Sequence, residues 1–372
     1  MQEPNVERLV DTFIRLARID SPSRHEGAIA AMVANELRAL SWQVWDDGSG
    51  PETGNLVARL EGAAATEPLL FSAHFDVVPP CLGVQPRVRN GWIESDGTTV
   101  LGADAKAGLA ALLELARLLP ATPPARRGTV ELLLTWGEEL GHLGAKAFDP
   151  TLVASRRAFV LDALLPVGSI VVAAPGYDAF SIAIRGRAAH AGLEPESGIS
   201  AIAVVAEAIS RLPWGRLDPE STANIGTIVG GTARNAVPEQ AQVEGEVRSF
   251  DPARLAAYGR AIAEAFQSAA SAAGARAEVV LRPVYVPYRL ADDSVVVDLA
   301  RRAFIALGGQ PCLTRTGSGS DANELNPMGI EACVLGIGAE ACHSVRERIA
   351  IAELARLTSW VLRIIEVAAA VS

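Results

Sequence analysis

Four short apolar runs in this chain each lead towards acidic or histidine residues. The runs span residues 69–73, 130–136, 158–161 and 332–337, and the polar residues beyond them are His74 and Asp76, Glu138 and Glu139, Asp162, and His343. Nearly continuous apolar runs are typical of strands that helices cover on both faces of a sheet. Open sheets of this kind bind ligands beyond the carboxyl ends of their strands. The sequence therefore predicts an α/β sheet with a functional site at one edge.

Helical periodicity surrounds the predicted strands. Apolar residues recur at three- and four-residue spacing over residues 5–19 and 26–40. A further apolar stripe runs from Leu109 to Leu119, with Glu114 and Arg117 opposite it. We therefore predict two amphipathic helices at the start of the chain and a third between two of the strands.

The pattern changes between about Tyr177 and about Tyr288. Alternating apolar residues, helical stretches at 199–212 and 252–273, and a last apolar run at 277–281 give the order β, α, β, β, α, β. This order is typical of a small α+β domain with an antiparallel sheet. We predict a mixed sheet between helices, formed by residues 1–177 and 288–372, with residues 178–287 as an inserted α+β domain.

Composition excludes several classes of protein. The chain has 372 residues, of which 49% are hydrophobic, so it can bury a large core. Its net charge of −10 leaves no basic surface for a phosphate backbone, and we expect no nucleic-acid partner. Asp162 and Pro166 interrupt the longest apolar stretch, residues 158–175, so we expect no membrane span.

The cysteines and the first residues bear on the cellular compartment. The four cysteines show no CxxC spacing and are too few for a disulfide framework, so reduced thiols are expected; they are Cys81, Cys312, Cys333 and Cys342. Residues 1–10 carry charges and no apolar segment typical of a secretory signal. We predict a cytoplasmic protein.

The polar residues at the strand ends suggest metal chemistry. His74 and Asp76 are two positions apart, so in an extended segment both face one site. Either both bind a metal, or Asp76 orients the imidazole of His74. Glu138 and Glu139 are adjacent and point in different directions, so we expect one to act as a base and the other as a ligand.

A further carboxylate lies in a glycine-flanked turn. Asp104 belongs to the segment 101–108, directly ahead of the predicted helix at Leu109, where it could bridge two ions. Imidazole and carboxylate donors together favour hard and borderline divalent ions such as zinc.

Motifs along nearly the whole chain resemble those of one enzyme family. These are the co-catalytic metallo-exopeptidases related to peptidase T, glutamate carboxypeptidase and the desuccinylases, and the peptidase T-like branch is the most similar. The matching segments are residues 74–78, 95–104, 137–139, 186–192, 230–238, 319–323 and 343–344. The resemblance implies a di-metal catalytic domain that carries an inserted lid and dimerisation domain.

The resemblance also implies a ligand set for two zinc ions per subunit, with Co²⁺ or Mn²⁺ as alternatives. His74 and Asp162 would bind one ion, and Glu139 and His343 would bind the other. Asp104 would bridge both ions. The peptide bond between Asp104 and Ala105 is expected to be cis, as it typically is in relatives. Ala105 replaces a second Asp that the family commonly has.

Other residues receive roles from the same resemblance. Asp76 would orient His74, and Glu138 would be the general base towards a water that bridges the metals. His190, in the inserted domain, would reach the partner subunit's site in a homodimer and stabilise the oxyanion. Asn235 and Arg248 would hold the substrate's backbone and its carboxylate. After His343, Glu347 is the candidate for the usual acidic partner.

The function implied is that of a metal-dependent exopeptidase acting on short peptides, of the tripeptide aminopeptidase type. The alternative within the family is a carboxypeptidase or an N-acyl-amino-acid amidohydrolase, since the same metals and base serve any amide. A non-catalytic peptide-binding or metal-storage protein is a third hypothesis. The intact Glu138 argues against it, because a binding protein needs no general base.

Overall fold

Helices and strands alternate along the computed structural model, which describes residues 2–62, 66–123 and 127–371. The chain divides into two units. The larger unit consists of Met1–Ala173, Leu290–Thr316 and Ser320–Ser372, and the smaller unit consists of Ala174–Arg289 and Gly317–Gly319. The catalytic and lid roles expected for residues 1–177, 288–372 and 178–287 stay predictions.

Nine α-helices lie within the described residues. They are α1 (Val6–Ala17), α2 (Gly27–Ala39), α3 (Ala103–Leu118), α4 (Leu143–Ala147), α5 (Ala201–Ser210), α6 (Pro252–Ala272), α7 (Val295–Ala306), α8 (Ala322–Leu325) and α9 (Ile351–Val371). At the start of α3 the backbone angles of Asp104 and Ala105 are not helical. The regular part of α3 therefore begins after these two residues.

The same residues form eighteen strands, several of them short. They are β1 (Gln43–Asp46), β2 (Leu56–Leu60), β3 (Leu69–His74), β4 (Arg87–Arg89), β5 (Trp92–Glu94), β6 (Val130–Thr135), β7 (Arg157–Ala163), β8 (Ser169–Ala174), β9 (Gly176–Arg185), β10 (Gly215–Asp218), β11 (Ser221–Gly230), β12 (Gln240–Ser249), β13 (Arg276–Tyr285), β14 (Tyr288–Arg289), β15 (Cys312–Arg315), β16 (Glu331–Gly336), β17 (Ala339–Glu340) and β18 (Arg348–Ala350).

The main sheet of the larger unit has a parallel centre. Its strands follow the order β1-β2-β6-β3-β7-β16-β8, and β15 pairs with β8. Strands β6, β3, β7 and β16 are mutually parallel, whereas β1, β2 and β8 join antiparallel. Every residue of β3 and β6 is buried. The four predicted apolar runs are these four parallel strands, and the predicted α/β fold class is confirmed.

Helices cover the sheet as the periodicity predicts. Residues 5–19 and 26–40 contain α1 and α2, each of which buries its apolar face. Helix α3 is buried over nearly its whole length, because it packs against β3, α1 and α9. Glu114, which lies opposite the apolar stripe, is therefore buried too. Its carboxylate forms an ion pair with Arg8 of α1 at 2.6 Å.

The smaller unit is an antiparallel sheet with two helices. Its strand order is β10-β11-β12-β9-β13, and α5 and α6 pack against it. The chain order β9, α5, β11, β12, α6, β13 is the predicted one, with the short strand β10 in addition. Its core contains the alternating residues of the prediction, namely Phe180, Ile182, Ile184, Val243 and Val247.

None of the described helices combines the length and the apolar character that crossing a membrane requires.

Candidate metal centre

Polar side chains lie where the parallel strands end, at one edge of the main sheet. His74 is the last residue of β3 and lies opposite Thr135, the last residue of β6. Asp162 lies near the end of β7. Parallel strands end at the same edge, so these side chains come together although they are distant in sequence.

Two turns bring the remaining carboxylates to this edge. After β6, Gly137 adopts a left-handed backbone, with φ of 61°, and a short 3-10 turn follows that contains Glu138 and Glu139. On the other side, Gly102 has φ of 76° directly before α3, where Asp104 lies. Glycine adopts such angles without a steric penalty, so both turns are compact.

The predicted metal ligands lie within hydrogen-bond distance of one another. His74 Nε2 is 3.2 Å from Asp104 Oδ1 and 3.3 Å from Asp162 Oδ1. His343 Nε2 is 3.1 Å from Asp104 Oδ2 and 3.2 Å from Glu139 Oε1. The two oxygens of Asp104 thus face one histidine each. This is the geometry expected of a carboxylate shared between two cation positions.

The donor set fits divalent cations. Two clusters of potential ligand atoms occur among the described residues, and they are His74, Asp104 and Glu139, and His74, Glu138 and Asp162. Glu139 Oε1 is buried and faces the His343 ring at 3.2 Å. Two imidazoles and several carboxylates are suitable ligands for zinc, cobalt or manganese. Distance alone does not separate Glu138 from the ligands, because it belongs to the second cluster.

Concentrated negative charge shifts the acid–base behaviour of the cluster. Burial, with the nearby Asp162 carboxylate, raises the pKa of Glu138 well above its usual range. Burial opposes ionisation of Asp104 as well, but its contacts with His343 and His74 keep the pKa of Asp104 low. Contacts with Asp104 and Glu139 raise the pKa of His343 to about 10. A cation at this edge would neutralise the same charge.

Asp76 contacts the His74 ring and the backbone of the turn that carries Glu138 and Glu139. His74 Nδ1 is 3.0 Å from the backbone oxygen of Asp76 and 3.4 Å from its Oδ1. The Asp76 carboxylate accepts hydrogen bonds from the backbone N–H groups of Glu138 and Glu139 and from the Ser23 hydroxyl. Asp76 thus contacts His74 mainly through its backbone and contacts the glutamate turn through its side chain.

The turn that carries Asp104 is held by a buried carboxylate. Glu347 accepts hydrogen bonds from the backbone N–H groups of Leu101, Gly102 and Asp104 at 2.7–3.2 Å. The peptide bond between Asp104 and Ala105 is cis, which confirms that prediction. The candidate acidic partner after His343 therefore contacts the Asp104 turn.

Sequence reasoning missed two residues that support the glutamate turn. Glu26 is buried, and its Oε1 accepts hydrogen bonds from the backbone N–H groups of Gly137 and Arg24 at 2.9 Å. The Ser23 hydroxyl donates to Asp76 at 2.6 Å. Both lie in the loop before α2. Ser23 lies outside the periodic segment 26–40 and Glu26 is its first residue, and neither a motif nor the periodicity indicates these contacts.

The other predicted site residues belong to the smaller unit. His190 is exposed, and its Nδ1 accepts hydrogen bonds from the backbone N–H groups of Gly192 and Leu193. Asn235 is also exposed, and its backbone oxygen accepts a hydrogen bond from Ala191. These two residues therefore lie on neighbouring loops.

Arg248 lies on β12 and already has an acidic partner. Its Nε and Nη2 donate to the two carboxylate oxygens of Glu246 at 2.9 and 3.1 Å. Its Nη1 donates to the Tyr285 hydroxyl and to the backbone oxygen of Gly317, and the guanidinium lies over the Tyr177 ring. Glu246 therefore accepts from two of the N–H groups of Arg248.

Comparisons with known proteins agree on one family. The sequence profile of peptidase family M20/M25/M40 matches residues 70–367. YqjE of Bacillus subtilis (strain 168), itself described as uncharacterized, is 40% identical over 369 residues, which cover 98% of this chain and 99% of that protein.

Two solved structures share the fold along their whole length. One is described as aminopeptidase PepT from Bacillus cereus ATCC 10987, with a TM-score of 0.92, 39% identity and coverage of 98% of this chain and 99% of that one. The other is described as a tripeptidase from Staphylococcus aureus subsp. aureus Mu50, with a TM-score of 0.96, 36% identity and coverage of 99% and 100%. The predicted resemblance is confirmed, and the chain belongs to peptidase family M20/M25/M40.

Proposed function

We propose that the protein is a two-metal exopeptidase of the peptidase T type, which removes the N-terminal residue of short peptides. The observation that carries the proposal is the placement of Asp104 between His74 and His343, with Glu138 beside them. Two similar structures are described as an aminopeptidase and a tripeptidase, which supports this substrate class.

Five residues would hold the metals, as the resemblance implied. His74 and Asp162 would bind one ion, Glu139 and His343 would bind the other, and Asp104 would bridge them. Zinc is our proposal, with Co²⁺ or Mn²⁺ as alternatives. Two such ions, when bound, would supply Lewis acidity towards the scissile carbonyl and would increase the acidity of the attacking water.

Glu138 would move the proton. Its carboxylate takes a proton from water as the water oxygen adds to the carbonyl carbon. It then delivers that proton to the leaving nitrogen as the C–N bond breaks. Burial raises the pKa of Glu138, which makes the carboxylate a stronger base.

His190 would stabilise the oxyanion. Two backbone N–H groups donate to its Nδ1, so the neutral ring carries its proton on Nε2. This leaves an exposed Nε2–H as a hydrogen-bond donor. We propose a homodimer in which the smaller unit, as lid and dimerisation domain, presents His190 to the partner subunit's metal centre.

Asn235 and Arg248 remain proposed substrate contacts, but the surroundings of Arg248 bear on which end of the peptide it recognises. Glu246 occupies two of its guanidinium N–H groups in a bidentate pair. A substrate carboxylate would have to compete with this internal carboxylate. The pair therefore favours the aminopeptidase over the carboxypeptidase and N-acyl-amino-acid amidohydrolase alternatives.

A cytoplasmic location remains part of the proposal. All four cysteines are free, and Cys81 and Cys333 are buried as thiols. Reduced cysteines are typical of proteins in reducing compartments.

A substrate panel tests the proposal. Zinc-reconstituted protein is incubated with free, N-blocked and C-amidated di- and tripeptides and with N-acyl amino acids. Cleavage that requires a free N-terminus and tolerates C-amidation supports the aminopeptidase. Cleavage that tolerates N-blocking but requires a free carboxylate would support the alternatives instead.

A pair of variants tests the role of Glu138. Glu138→Ala should lower kcat by about 10²–10⁴ while two metal ions remain bound, as measured by elemental analysis. Glu7→Ala, an exposed glutamate of α1, is the matched control and should behave as the wild type. Full activity of Glu138→Ala would refute the proposed mechanism.

A further inference from the structure

A buried histidine lies between Glu138 and a second carboxylate. His142 Nε2 is 3.3 Å from Glu138 Oε1, and His142 Nδ1 is 3.3 Å from Glu324 Oε1. The three side chains are largely buried, with exposed fractions of 4%, 9% and 14% for His142, Glu138 and Glu324. The proposed reaction assigns no role to this histidine.

The backbone holds His142 in place. The residue has a positive φ of 62° and lies directly before α4. Its backbone N–H donates to the backbone oxygen of Glu138 at 2.7 Å, and its own backbone oxygen accepts from Lys146 at 2.9 Å. The turn from Glu138 to His142 is thus closed by a backbone hydrogen bond and by the contact between their side chains.

Glu324 fixes the far side of the imidazole. It belongs to the short helix α8, which is distant in sequence from the 3-10 turn of Glu138. The Lys146 ammonium lies 3.9 Å from Glu324 Oε1, and Lys146 also donates to the backbone oxygen of Gly141. The imidazole is therefore held between two elements that are themselves linked by Lys146.

We infer that His142 is a positioning residue for Glu138: Nε2–H donates to Glu138 and Nδ1–H donates to Glu324, so the arrangement uses both ring N–H groups. This inference rests on the proposed function, because it requires Glu138 to be the general base. One oxygen of Glu138 is engaged by the imidazole, so the other is left to accept the proton of the attacking water. Glu138 then keeps a single orientation rather than sampling several rotamers.

Two substitutions separate the two ring nitrogens. In His142→Gln the amide nitrogen lies about as far along the side chain as Nε2, so a donor towards Glu138 is kept. In His142→Asn the amide group replaces only Nδ1, and asparagine tolerates the positive φ at this position. We expect His142→Asn to lower kcat by about 10- to 100-fold with KM nearly unchanged. His142→Gln should lose clearly less.

Controls exclude a general effect on the fold. His25→Asn changes an exposed histidine that pairs with Glu52, and it should leave kcat unchanged. Metal content and the thermal midpoint of unfolding are measured for every variant. If His142→Asn fails to fold, Glu324→Ala is used instead, and it should lower kcat with KM unchanged because the imidazole loses its second anchor.

A double-mutant cycle decides whether His142 acts through Glu138. In the Glu138→Ala background, His142→Asn should have no further effect on the residual rate. An equal loss in both backgrounds, or wild-type kcat in His142→Asn, would overturn the inference. Glu138→Ala with full activity would instead overturn the proposed function, so the two failures are distinguishable.

Discussion

The backbone N–H of Glu138 donates a hydrogen bond of 2.9 Å to Oδ1 of Asp76. The other oxygen of the same carboxylate accepts from the backbone N–H of Glu139 at 3.1 Å. Asp76 also contacts His74 at the end of β3, so one residue connects two of the strand ends that form the candidate centre. The position of the proposed base is therefore coupled to the position of a proposed ligand.

Replacement of Asp76 should disturb both groups. We expect Asp76→Ala to lower kcat/KM by about 10²-fold and metal affinity by about 10- to 100-fold, because residues that support metal ligands have effects of this size. Steady-state kinetics and metal titration measure the two quantities. Asp76→Asn keeps one acceptor oxygen and should be intermediate. Normal affinity and normal kinetics of Asp76→Ala would show that the turn holds its position without this carboxylate.

Glu347 should contribute to stability through the Asp104 turn. In Glu347→Gln one carboxylate oxygen becomes an NH₂ group, which cannot accept a hydrogen bond. At least one of the buried backbone N–H groups of the turn would then have no acceptor. We expect the free energy of unfolding to fall by about 1–3 kcal/mol, measured by urea unfolding.

The matched control for Glu347 is Glu340→Gln. Glu340 is half exposed and pairs with Arg348 on the surface, and such pairs contribute about 1 kcal/mol or less. Equal stability losses in the two variants would argue against a special role for the buried carboxylate.

The sequence allowed the parallel strands and the metal-ligand candidates to be predicted because both signals are local. An apolar run followed by His74, or by Glu138 and Glu139, is visible within ten residues. The family resemblance then predicted the cis bond after Asp104, and it assigned the role of base to Glu138 and that of metal ligand to Glu139. Neither inference required knowledge of the distant packing.

Supporting contacts could not be predicted, because they join distant parts of the chain. Glu347 contacts a turn 243 to 246 positions earlier, and Glu26 contacts Gly137, which is 111 positions later. Glu114 is buried because α1 supplies Arg8 as its partner, 106 positions earlier. Periodicity describes one face of an element and carries no information on which charged partner covers the other face.

Stability should depend on pH through Lys106. This lysine is buried, and desolvation lowers its pKa to about 8. The unfolded chain binds the same proton with a pKa of about 10.4, so between pH 8 and 10 the unfolded state holds more protons. Lys106 alone should therefore make the free energy of unfolding rise with pH in this window, by up to about 3 kcal/mol. In the metal-free protein His343, whose pKa of about 10 lies above its unfolded value, contributes a fall over the same window.

The chain has only two lysines, so replacing each in turn covers every lysine. Lys106→Met should lack the Lys106 contribution, so its free energy of unfolding should fall increasingly below the wild-type trend as pH rises, whereas Lys146→Met, at the partly exposed second lysine, should follow the wild type. Urea unfolding of metal-free protein at several pH values between 7 and 10 compares them with the wild type. The same dependence on pH in Lys106→Met as in the wild type would show that Lys106 does not contribute.

Subunit mixing tests whether His190 acts on the partner subunit's centre. A His190→Ala chain keeps its own ligands, and an Asp104→Asn chain keeps its histidine, so each homodimer should be inactive. A mixed dimer contains one centre with intact ligands that faces the partner's His190. Random exchange of equal amounts should restore about one quarter of the wild-type activity, because half of the dimers are mixed and each has one complete centre.

Exchange must be verified independently, for example by native mass spectrometry of chains with different tags. The matched control mixes Asp104→Asn with Glu138→Ala, whose two lesions both lie in the larger unit. No complete centre forms in that mixture if each larger unit supplies its own ligands and base, so activity should stay absent. Recovery with His190→Ala but not in this control requires the histidine to come from the other chain. Absence of recovery after verified exchange would mean that His190 acts within its own chain or not at all.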